Sequence, residues 1–211
     1  MKKTKLNTNI KISLLAVIAF LLMYIELPLP MFPSFLKIDI SDLPALIGSF
    51  AFGPVAGIVV ELFKNVLHGL FASQTAFIGE LANFIVGAVL VFTAGSIYKK
   101  RKNKNGAILA LVIGTLAMTV TAAIVNLYIL LPLYEKVLNI PMAAVIGMSS
   151  KVNGKIVNMS TFILWAIVPF NLVKGVFISI ITRVIYKSVS PLLHKEDMEI
   201  SKDKLSKTFE N

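Results

Sequence analysis

The chain alternates between long apolar runs and short polar connections. The apolar runs lie at about 10–27, 43–52, 54–72, 77–98, 106–133 and 160–189. A helix needs roughly 20 apolar residues to cross the hydrocarbon core of a bilayer, so only the run at 43–52 is short for a span. The pattern therefore predicts a bundle of membrane-spanning helices.

The second and third runs have two interpretations. Residues 43–67 could form one kinked helix, or two helices that turn at Gly53-Pro54. Length favours the first interpretation, but charge favours the second, because only two helices keep the N-terminus, the basic cluster at 99–104 and the C-terminal segment on the cytoplasmic side together. We predict an all-α integral membrane protein, a bundle of six transmembrane helices with cytoplasmic N- and C-termini.

No glycine-serine linker and no repeat divides the chain. We expect residues 1–190 to form a single six-helix membrane domain and residues 191–211 to form a polar cytoplasmic C-terminal tail. The basic N-terminus and the first apolar run superficially resemble a signal peptide, but no A-x-A-like cleavage site follows, which favours an uncleaved first span.

Composition supports membrane insertion. Hydrophobic residues make up 56% of the 211 residues and charged residues 15%, with a mean hydropathy of +0.81, whereas soluble domains are about 45–50% apolar. The net charge is +10, but the basic residues cluster at the ends of apolar runs, which is typical of membrane topology and not of nucleic-acid binding. The chain has no cysteine, which excludes disulfides, thiolate nucleophiles and cysteine-based zinc sites.

The connection at 26–42 is rich in proline and in apolar residues. Its prolines at 28, 30 and 33 prevent a helix, while the side chains between them favour burial. We expect this outward loop to lie over the bundle or to dip into it. At its end, Asp42 is expected to cap a helix that begins at Leu43, with Pro44 in the first turn. Whether Asp42 also touches a ligand is left open.

Two polar side chains interrupt the last apolar run. Asn171 and Lys174 are three residues apart and therefore share one face of a helix. A lysine near the centre of a span costs about 2.5–3.5 kcal/mol to insert, so it should face a polar cavity or a partner. This face is the first candidate for a binding site.

The third helix carries a polar stripe. Glu61, Lys64, Asn65 and His68 recur at helical spacing while apolar residues cover the remaining faces. Glu61 and Lys64 could line a ligand site or could form an ion pair that satisfies itself. Asn65 is a better ligand contact because its amide both donates and accepts. His68 is expected at the interface, and no metal site is expected.

Asn126 is a further binding candidate, near the outer end of the fifth long run. Its amide needs a partner on another helix or on a ligand, and Pro132 should end or bend the helix that carries it. Glu80 and Asn83, at the start of the fourth long run, are expected to be cap and interface residues. Residues 135–159 could be a lid or a solvated loop.

Several motifs of energy use and catalysis are missing. The sequence has no G-x-x-x-x-G-K-[ST] loop for ATP hydrolysis, and no H-E-x-x-H or G-x-S-x-G motif of a membrane protease or esterase. Inverted repeats, which ion-coupled carriers often show, are not evident. A non-enzymatic binding protein is the leading hypothesis, and a small membrane enzyme or a channel-like bundle are the alternatives.

Four segments in order resemble the riboflavin-specific substrate-binding components of energy-coupling factor transporters. They are FLKIDISDLPALIG at 35–48, FGPVAGIVVELFKNVLH at 52–68, NLYILLPLY at 126–134 and PFNLVKG at 169–175. The resemblance spans about residues 10–190. It implies a six-helix bundle in a prokaryotic cell membrane that binds riboflavin near the outer surface, as a transported substrate and not as a cofactor.

The resemblance also implies a site and partners. Asn126, Asn171 and Lys174 would bind the uracil-like edge of the isoalloxazine, and less securely transferred contacts are Leu36, Asp42, Ala45 and Asn65. The implied partners are a transmembrane coupling protein and two cytoplasmic ATPase subunits. Another small vitamin, or flavin mononucleotide, remains an alternative ligand, since Lys37, Lys64, Lys151 and Lys155 could meet a phosphate. Small residues Ser13, Ala16 and Ala19 could face the coupling protein or could pack inside the bundle.

Overall fold

The computed structural model describes residues 2–193, and within them the side chains of residues 6–188. The fold is a helical bundle with one two-stranded ribbon. Its elements are α1 (Lys2–Met23), β1 (Leu27–Pro28), β2 (Lys37–Ile38), α2 (Asp42–Phe52), α3 (Pro54–Ala72), α4 (Ile78–Lys100), α5 (Lys104–Val125), α6 (Leu131–Leu138), α7 (Met142–Ser150), α8 (Met159–Phe162) and α9 (Val168–Leu193). The predicted tail at 191–211, with His194, lies outside the described residues apart from the last three residues of α9.

Five helical segments of the described chain are long and apolar enough to cross a membrane. They are Leu6–Met23, Pro54–Ala72, Ile78–Lys100, Lys104–Leu138 and Met159–Ser188. Large apolar side chains such as Leu14, Val120 and Ile180 are exposed on their outward faces, as expected where the solvent is lipid. A mostly helical architecture with several helices apolar enough to cross a membrane is confirmed, and α2, with 11 residues, is the short apolar helix that the pattern indicated.

The break between α2 and α3 is at the predicted dipeptide. Gly53 has a φ of 102°, a left-handed backbone conformation that side chains rarely adopt, and Pro54 opens α3 where no amide donor is needed. Residues 43–67 therefore form two helices and not one kinked helix. α2 packs against α1, α3, α4 and α9, which makes it the central helix of the bundle.

The core around α2 contains small and branched side chains from several helices. Ala16 and Ala19 of α1 are buried in it, whereas Ser13 is exposed. The idea that these three residues present one face to a coupling protein is therefore wrong. The two alanines pack inside the bundle, where they allow α1 to approach α2 and α3 closely.

The proline-rich loop folds back over the bundle, which confirms the expectation for it. β1 and β2 pair antiparallel, and Lys37 Nζ lies 2.6 Å from Glu26 Oε2 across the ribbon. The ring of Phe32 makes an edge contact with Phe170 at a centroid distance of 5.5 Å. Burial is incomplete, however, because Met31 at the loop tip remains exposed.

Two π-helical turns interrupt the long outer helices, and each lies just before a proline. Asn126–Leu130 precedes Pro132, and Ile163–Ile167 precedes Pro169. A proline in a helix lacks the amide for the carbonyl four residues earlier and its ring crowds that carbonyl, so a locally widened turn relieves the conflict. Pro132 thus distorts its helix without ending it, since α6 continues to Leu138.

The segment at 135–159 is structured. α7 lies between a left-handed residue, Asn139, and a turn that leads to α8. Val145 and Ile156 are buried in an outer apolar cluster, and Lys155 Nζ lies 4.5 Å from the centre of the Trp165 ring. Of the two interpretations that the sequence allowed, a cover on the bundle fits these contacts and a solvated loop does not.

Candidate functional site

A cavity of about 640 Å³ lies beneath the proline-rich loop and α7. This volume is within the range of about 300–1,000 Å³ that small-molecule sites occupy. Its walls are largely apolar, with Phe35, Leu131, Phe162 and Phe170 among them. Polar and charged side chains line it as well, and they are Tyr24, Glu26, Lys37, Asp39, His68, Gln74, Thr75, Glu80, Asn83, Asn126, Tyr134, Asn171 and Lys174.

The π-helical turns are adjacent to two of these polar side chains. Asn126 opens the first turn, and its Nδ2 donates to Ala122 O at 2.8 Å. Asn171 follows the second turn, and its Nδ2 donates to Ile167 O, also at 2.8 Å. Each amide donates one N–H to a backbone oxygen of its own helix and keeps a second N–H and a carbonyl oxygen for other partners. The two asparagines therefore offer matching donor and acceptor groups to a ligand.

Lys174 is held at the cavity wall by two carboxylates. Its Nζ lies 3.2 Å from Asp39 Oδ2 and 3.1 Å from Asp42 Oδ2. Asp39 in turn accepts from Ser41, whose amide nitrogen lies 2.8 Å from Asp39 Oδ1 and whose hydroxyl donates to the same oxygen. The ammonium group is thus positioned where the loop, α2 and α9 meet.

Behind this wall lies a second ammonium group. Lys64 Nζ donates to Asp42 Oδ1, to Ser41 Oγ at 2.9 Å and to Glu61 Oε2 at 2.9 Å. All four groups are buried. Asp42 therefore bridges the two lysines, with one oxygen on Lys64 and the other on Lys174, and it links α3 to α9 through the start of α2.

The structure separates the predicted site residues into three groups. Leu36, Asn126, Asn171 and Lys174 line the cavity. Asp42, Lys64 and Glu61 lie behind the wall in the ion network. Ala45 is buried in the apolar core, and Asn65 lines a separate apolar groove of about 300 Å³ between α3 and α4.

The predicted capping role of Asp42 is wrong. α2 begins at Asp42 itself, and the residue before it, Ser41, makes no side-chain cap hydrogen bond. The Asp42 carboxylate points to two lysines instead of to the backbone of its own helix. Two charged partners at hydrogen-bond distance outweigh a local cap, since charge-assisted bonds are roughly twice as strong as neutral ones.

Residues at the other side of the cavity form a cluster around Glu80. Glu80 Oε1 lies 3.0 Å from His68 Nδ1, and Glu80 Oε2 accepts from Ser73 Oγ at 3.0 Å and from Thr75 Oγ1 at 3.3 Å. The sequence indicated cap and interface roles for Glu80 and His68. They do join α3 to α4, but both also line the cavity, which the sequence did not indicate.

Asp39 is the functional candidate that sequence reasoning missed. It lies in the segment Lys37-Ile-Asp-Ile-Ser-Asp, where polar and apolar residues alternate. That alternation was a usable signal, because it places Lys37, Asp39 and Ser41 on one side of an extended chain. Among the described residues, no group of three histidine, cysteine or carboxylate side chains could hold a metal ion.

Comparisons with known proteins agree on one family. A family model described as "ECF transporter, substrate-specific component" matches residues 7–186. The chain is 39% identical over 186 residues to the riboflavin transporter RibU of Staphylococcus aureus (strain TCH60), covering 88% of this chain and 92% of that protein. It is 34% identical over 194 residues to the riboflavin transporter FmnP of Bacillus subtilis (strain 168), covering 91% and 96%.

A solved structure is also similar. It is the structure of "the S component of a bacterial ECF transporter", and it superposes with a TM-score of 0.71 at 38% sequence identity. The match covers 90% of this chain and 98% of that chain. Sequence and fold therefore indicate the same relationship over nearly the whole length.

Proposed function

This chain belongs to the substrate-specific components of energy-coupling factor (ECF) transporters, and from this premise we propose that it is the riboflavin-binding subunit of an ATP-driven vitamin importer. The resemblance noted in the four sequence segments is confirmed at the level of the family. The observation that carries the proposal is the covered apolar cavity, into which two asparagines and one lysine project from the π-distorted helices.

The chemistry of the cavity suits a flavin. A tricyclic isoalloxazine needs apolar burial, which the phenylalanine and leucine side chains of the walls supply. Its uracil-like edge alternates carbonyl acceptors with an N–H. The amides of Asn126 and Asn171 can meet both kinds of group, and the ammonium of Lys174 can donate to a carbonyl. The ribityl hydroxyls would then face polar groups such as Asn83 and Glu80.

The network behind the wall has a supporting role in this proposal. Asp42 and Lys64 position Lys174 without lining the cavity themselves, and Glu61 acts one step further back. Ala45 and Asn65 were less securely suggested by the family resemblance. Ala45 packs in the apolar core, and Asn65 lies where α3 contacts α4.

We place the protein in the bacterial cell membrane with six crossings and both termini in the cytoplasm. α2 is about 16 Å long at 1.5 Å per residue, which is roughly half of a hydrocarbon core. The folded-back loop at 26–41 occupies the remaining depth, and its backbone is protected because it packs on protein. The cavity then opens outward, and the basic cluster at 99–104 faces inward.

Transport requires partners that supply energy. The sequence has no ATP-binding loop, and the related proteins are named as transporters or transporter components, not as enzymes. The function is therefore substrate binding and delivery. Membership of the family implies that the chain associates with an ECF module. We expect that module to consist of a transmembrane coupling protein and two cytoplasmic ATPase subunits.

Truncation of either asparagine tests the site. We expect Asn126→Ala and Asn171→Ala each to weaken riboflavin binding by about 1–3 kcal/mol, the cost of leaving a buried polar group of the ligand without its partner. Quenching of flavin fluorescence by the detergent-purified protein measures the affinity. Asn105→Ala, at an exposed position outside the cavity, should bind like the wild type. Unchanged affinity in both cavity variants would remove the asparagines from the site.

The charges of the cavity favour riboflavin over flavin mononucleotide. Of the lysines considered for a phosphate, Lys64 is fully buried in ion pairs and Lys37 is paired with Glu26. Carboxylates of Glu26, Asp39 and Glu80 line the cavity, and the two lysines that also line it, Lys37 and Lys174, are already paired with carboxylates. A phosphate would meet like charge, which costs free energy in a site with little water.

We therefore expect the wild type to bind flavin mononucleotide at least tenfold more weakly than riboflavin, or about 1.4 kcal/mol. Glu80→Gln should narrow this ratio because it removes one of the opposing charges. Glu135→Gln, exposed and outside the cavity, is the matched control. Equal affinities of the wild type for the two flavins, measured by competition, would contradict this account.

A further inference from the structure

Glu61 differs from the other carboxyl groups of the buried network in how its oxygens are satisfied. Both oxygens of Asp39 and both oxygens of Asp42 have hydrogen-bond or ion-pair partners. Glu61 Oε2 accepts from Lys64, but Glu61 Oε1 is buried without a partner. The Glu61 side chain has no exposed surface, so bulk water does not supply the missing bond.

The same face of α3 carries a second unsatisfied oxygen. Asn65 Oδ1 is also buried without a partner, and Asn65 is one helical turn after Glu61. Asn65 Nδ2 lies 2.8 Å from the backbone oxygen of Glu61 and 3.5 Å from Glu61 Oε2. The backbone oxygen of Glu61 can only accept a hydrogen bond, so the amide nitrogen of Asn65 must face it. If the amide were flipped, Asn65 Oδ1 would face that backbone oxygen without a hydrogen between them. Asn65 Oδ1 therefore points away from the backbone oxygen of Glu61. A carboxyl group and an amide thus lie side by side, each with an orphan acceptor.

The charges of the network are also unbalanced. The described residues that face it are Asp39 from the loop, Asp42 from α2, Glu61 and Lys64 from α3, and Lys174 from α9. α4 approaches through Gly87, where even a methyl group would overlap the Glu61 carboxyl group. With every group ionised, three carboxylates would face two ammonium groups, and one negative charge would remain uncompensated inside the bundle. Such a charge is costly to bury.

We propose that Glu61 binds a proton at neutral pH and that its carboxylic acid donates from Oε1 to Asn65 Oδ1. One proton, taken up from water as the chain folds, satisfies both orphan acceptors and makes the network neutral. Glu61 is the member of the network to carry it, because the oxygens of Asp39 and Asp42 are already occupied by donors. The protonated acid still accepts from Lys64 through Oε2.

This assignment explains why a glutamate is tolerated beside Lys64 when Asp42 already compensates that lysine. It also means that Asp39 and Asp42 balance Lys174 and Lys64 as two pairs. A neutral ligand that contacts Lys174 then enters a site with no excess charge. The inference concerns the buried network, and it stands or falls independently of which vitamin the cavity holds.

Infrared spectroscopy of the purified full-length protein tests the proposal. A protonated carboxylic acid absorbs at higher frequency than a carboxylate, in a region clear of the amide bands, and its band shifts in D₂O. We expect such a band at pH 7 in the wild type, with an intensity of about one group per chain, and we expect it to shift when glutamate is labelled with ¹³C at its carboxyl carbon. The labelled wild type needs no substitution, so the test survives even if a variant fails to fold.

Variants assign the band. Glu61→Gln should abolish it, whereas Glu80→Gln, at a buried glutamate whose two oxygens both have partners, should leave it intact. Asn65→Leu should move it to higher frequency because the acid loses its acceptor. Absence of a glutamate-dependent band would overturn the proposal and would point to an ionised Glu61 with a bridging water. A band that survives in Glu61→Gln, or that Asn65→Leu leaves unmoved, would equally refute the acid–amide pair.

Discussion

Lys64→Met is expected to lower the free energy of unfolding by about 3–5 kcal/mol, the range observed when one partner of a buried ion pair is removed. Lys64 is fully buried, and its ammonium contacts Asp42, Glu61 and Ser41. Methionine has a similar length but no charge, so the loss would come from a negative charge left uncompensated, because Asp39 and Asp42 would share Lys174 alone, and not from a cavity. Chemical unfolding in detergent micelles, followed by circular dichroism, measures the change.

An exposed ion pair supplies the matched comparison. Lys37 and Glu26 lie closer together than most of the buried pairs, at 2.6 Å, but their side chains are 38% and 34% exposed. Lys37→Met should therefore cost only about 0–1 kcal/mol. The double variant Lys64→Met/Asp42→Asn should recover part of the lost stability, since Lys174 keeps Asp39. If Lys64→Met were as mild as Lys37→Met, the buried network would not stabilise the fold.

Local rules were sufficient for much of the fold. Glycine at 53 followed by proline at 54 predicts a helix break wherever the two residues lie in space, and the structure has the break there. The apolar runs likewise predict the long helices, because a bilayer imposes the same length on every span. These features depend on neighbours in sequence, so one sequence contains the information.

Long-range partners explain most of the differences. The sequence placed Glu61, Lys64 and Asn65 on one face of a helix, and that face exists, but it packs against α2 and α4 and not on the cavity. The period of a helix gives the direction of a side chain relative to its own axis. It does not give the identity of the element across from it. Asp42 illustrates the same point, since its partner Lys64 is 22 residues away in sequence and was not considered.

The helix distortions could be predicted from the sequence only in part. Pro132 and Pro169 indicate strain in the outer helices, because a proline in a helix always removes one hydrogen bond. Two facts depend on how the two helices pack: π-helical turns relieve the strain, and Asn126, which begins one turn, faces the same cavity as Asn171, which lies four residues beyond the other. Both asparagines were candidates from sequence because an amide in an apolar run requires a partner, but each amide finds one partner on its own helix and not on another helix.

Lys174→Met is expected to reduce riboflavin affinity by about 1.5–3 kcal/mol, the contribution of a hydrogen bond to a charged group, which corresponds to roughly 10- to 150-fold in the dissociation constant. Lys174 lines the cavity and is aligned by Asp39 and Asp42. The same substitution also leaves Asp39 without its ammonium partner and Asp42 with only Lys64, so a loss of binding by itself could reflect a loss of structure. Affinity and unfolding must therefore be measured on the same preparation.

A charge-balanced variant separates the two effects. Lys174→Met/Asp39→Asn removes one positive and one negative group and leaves Asp42 paired with Lys64. If Lys174 contacts the flavin, the double variant should regain stability close to that of Asp39→Asn alone but should still bind riboflavin weakly. If it binds riboflavin as tightly as Asp39→Asn, then Lys174 only completes the buried network, and the polar recognition of the flavin must come from the asparagines. The ammonium would then be structural because its geometry is set by Asp39 and Asp42 whether or not a ligand is present.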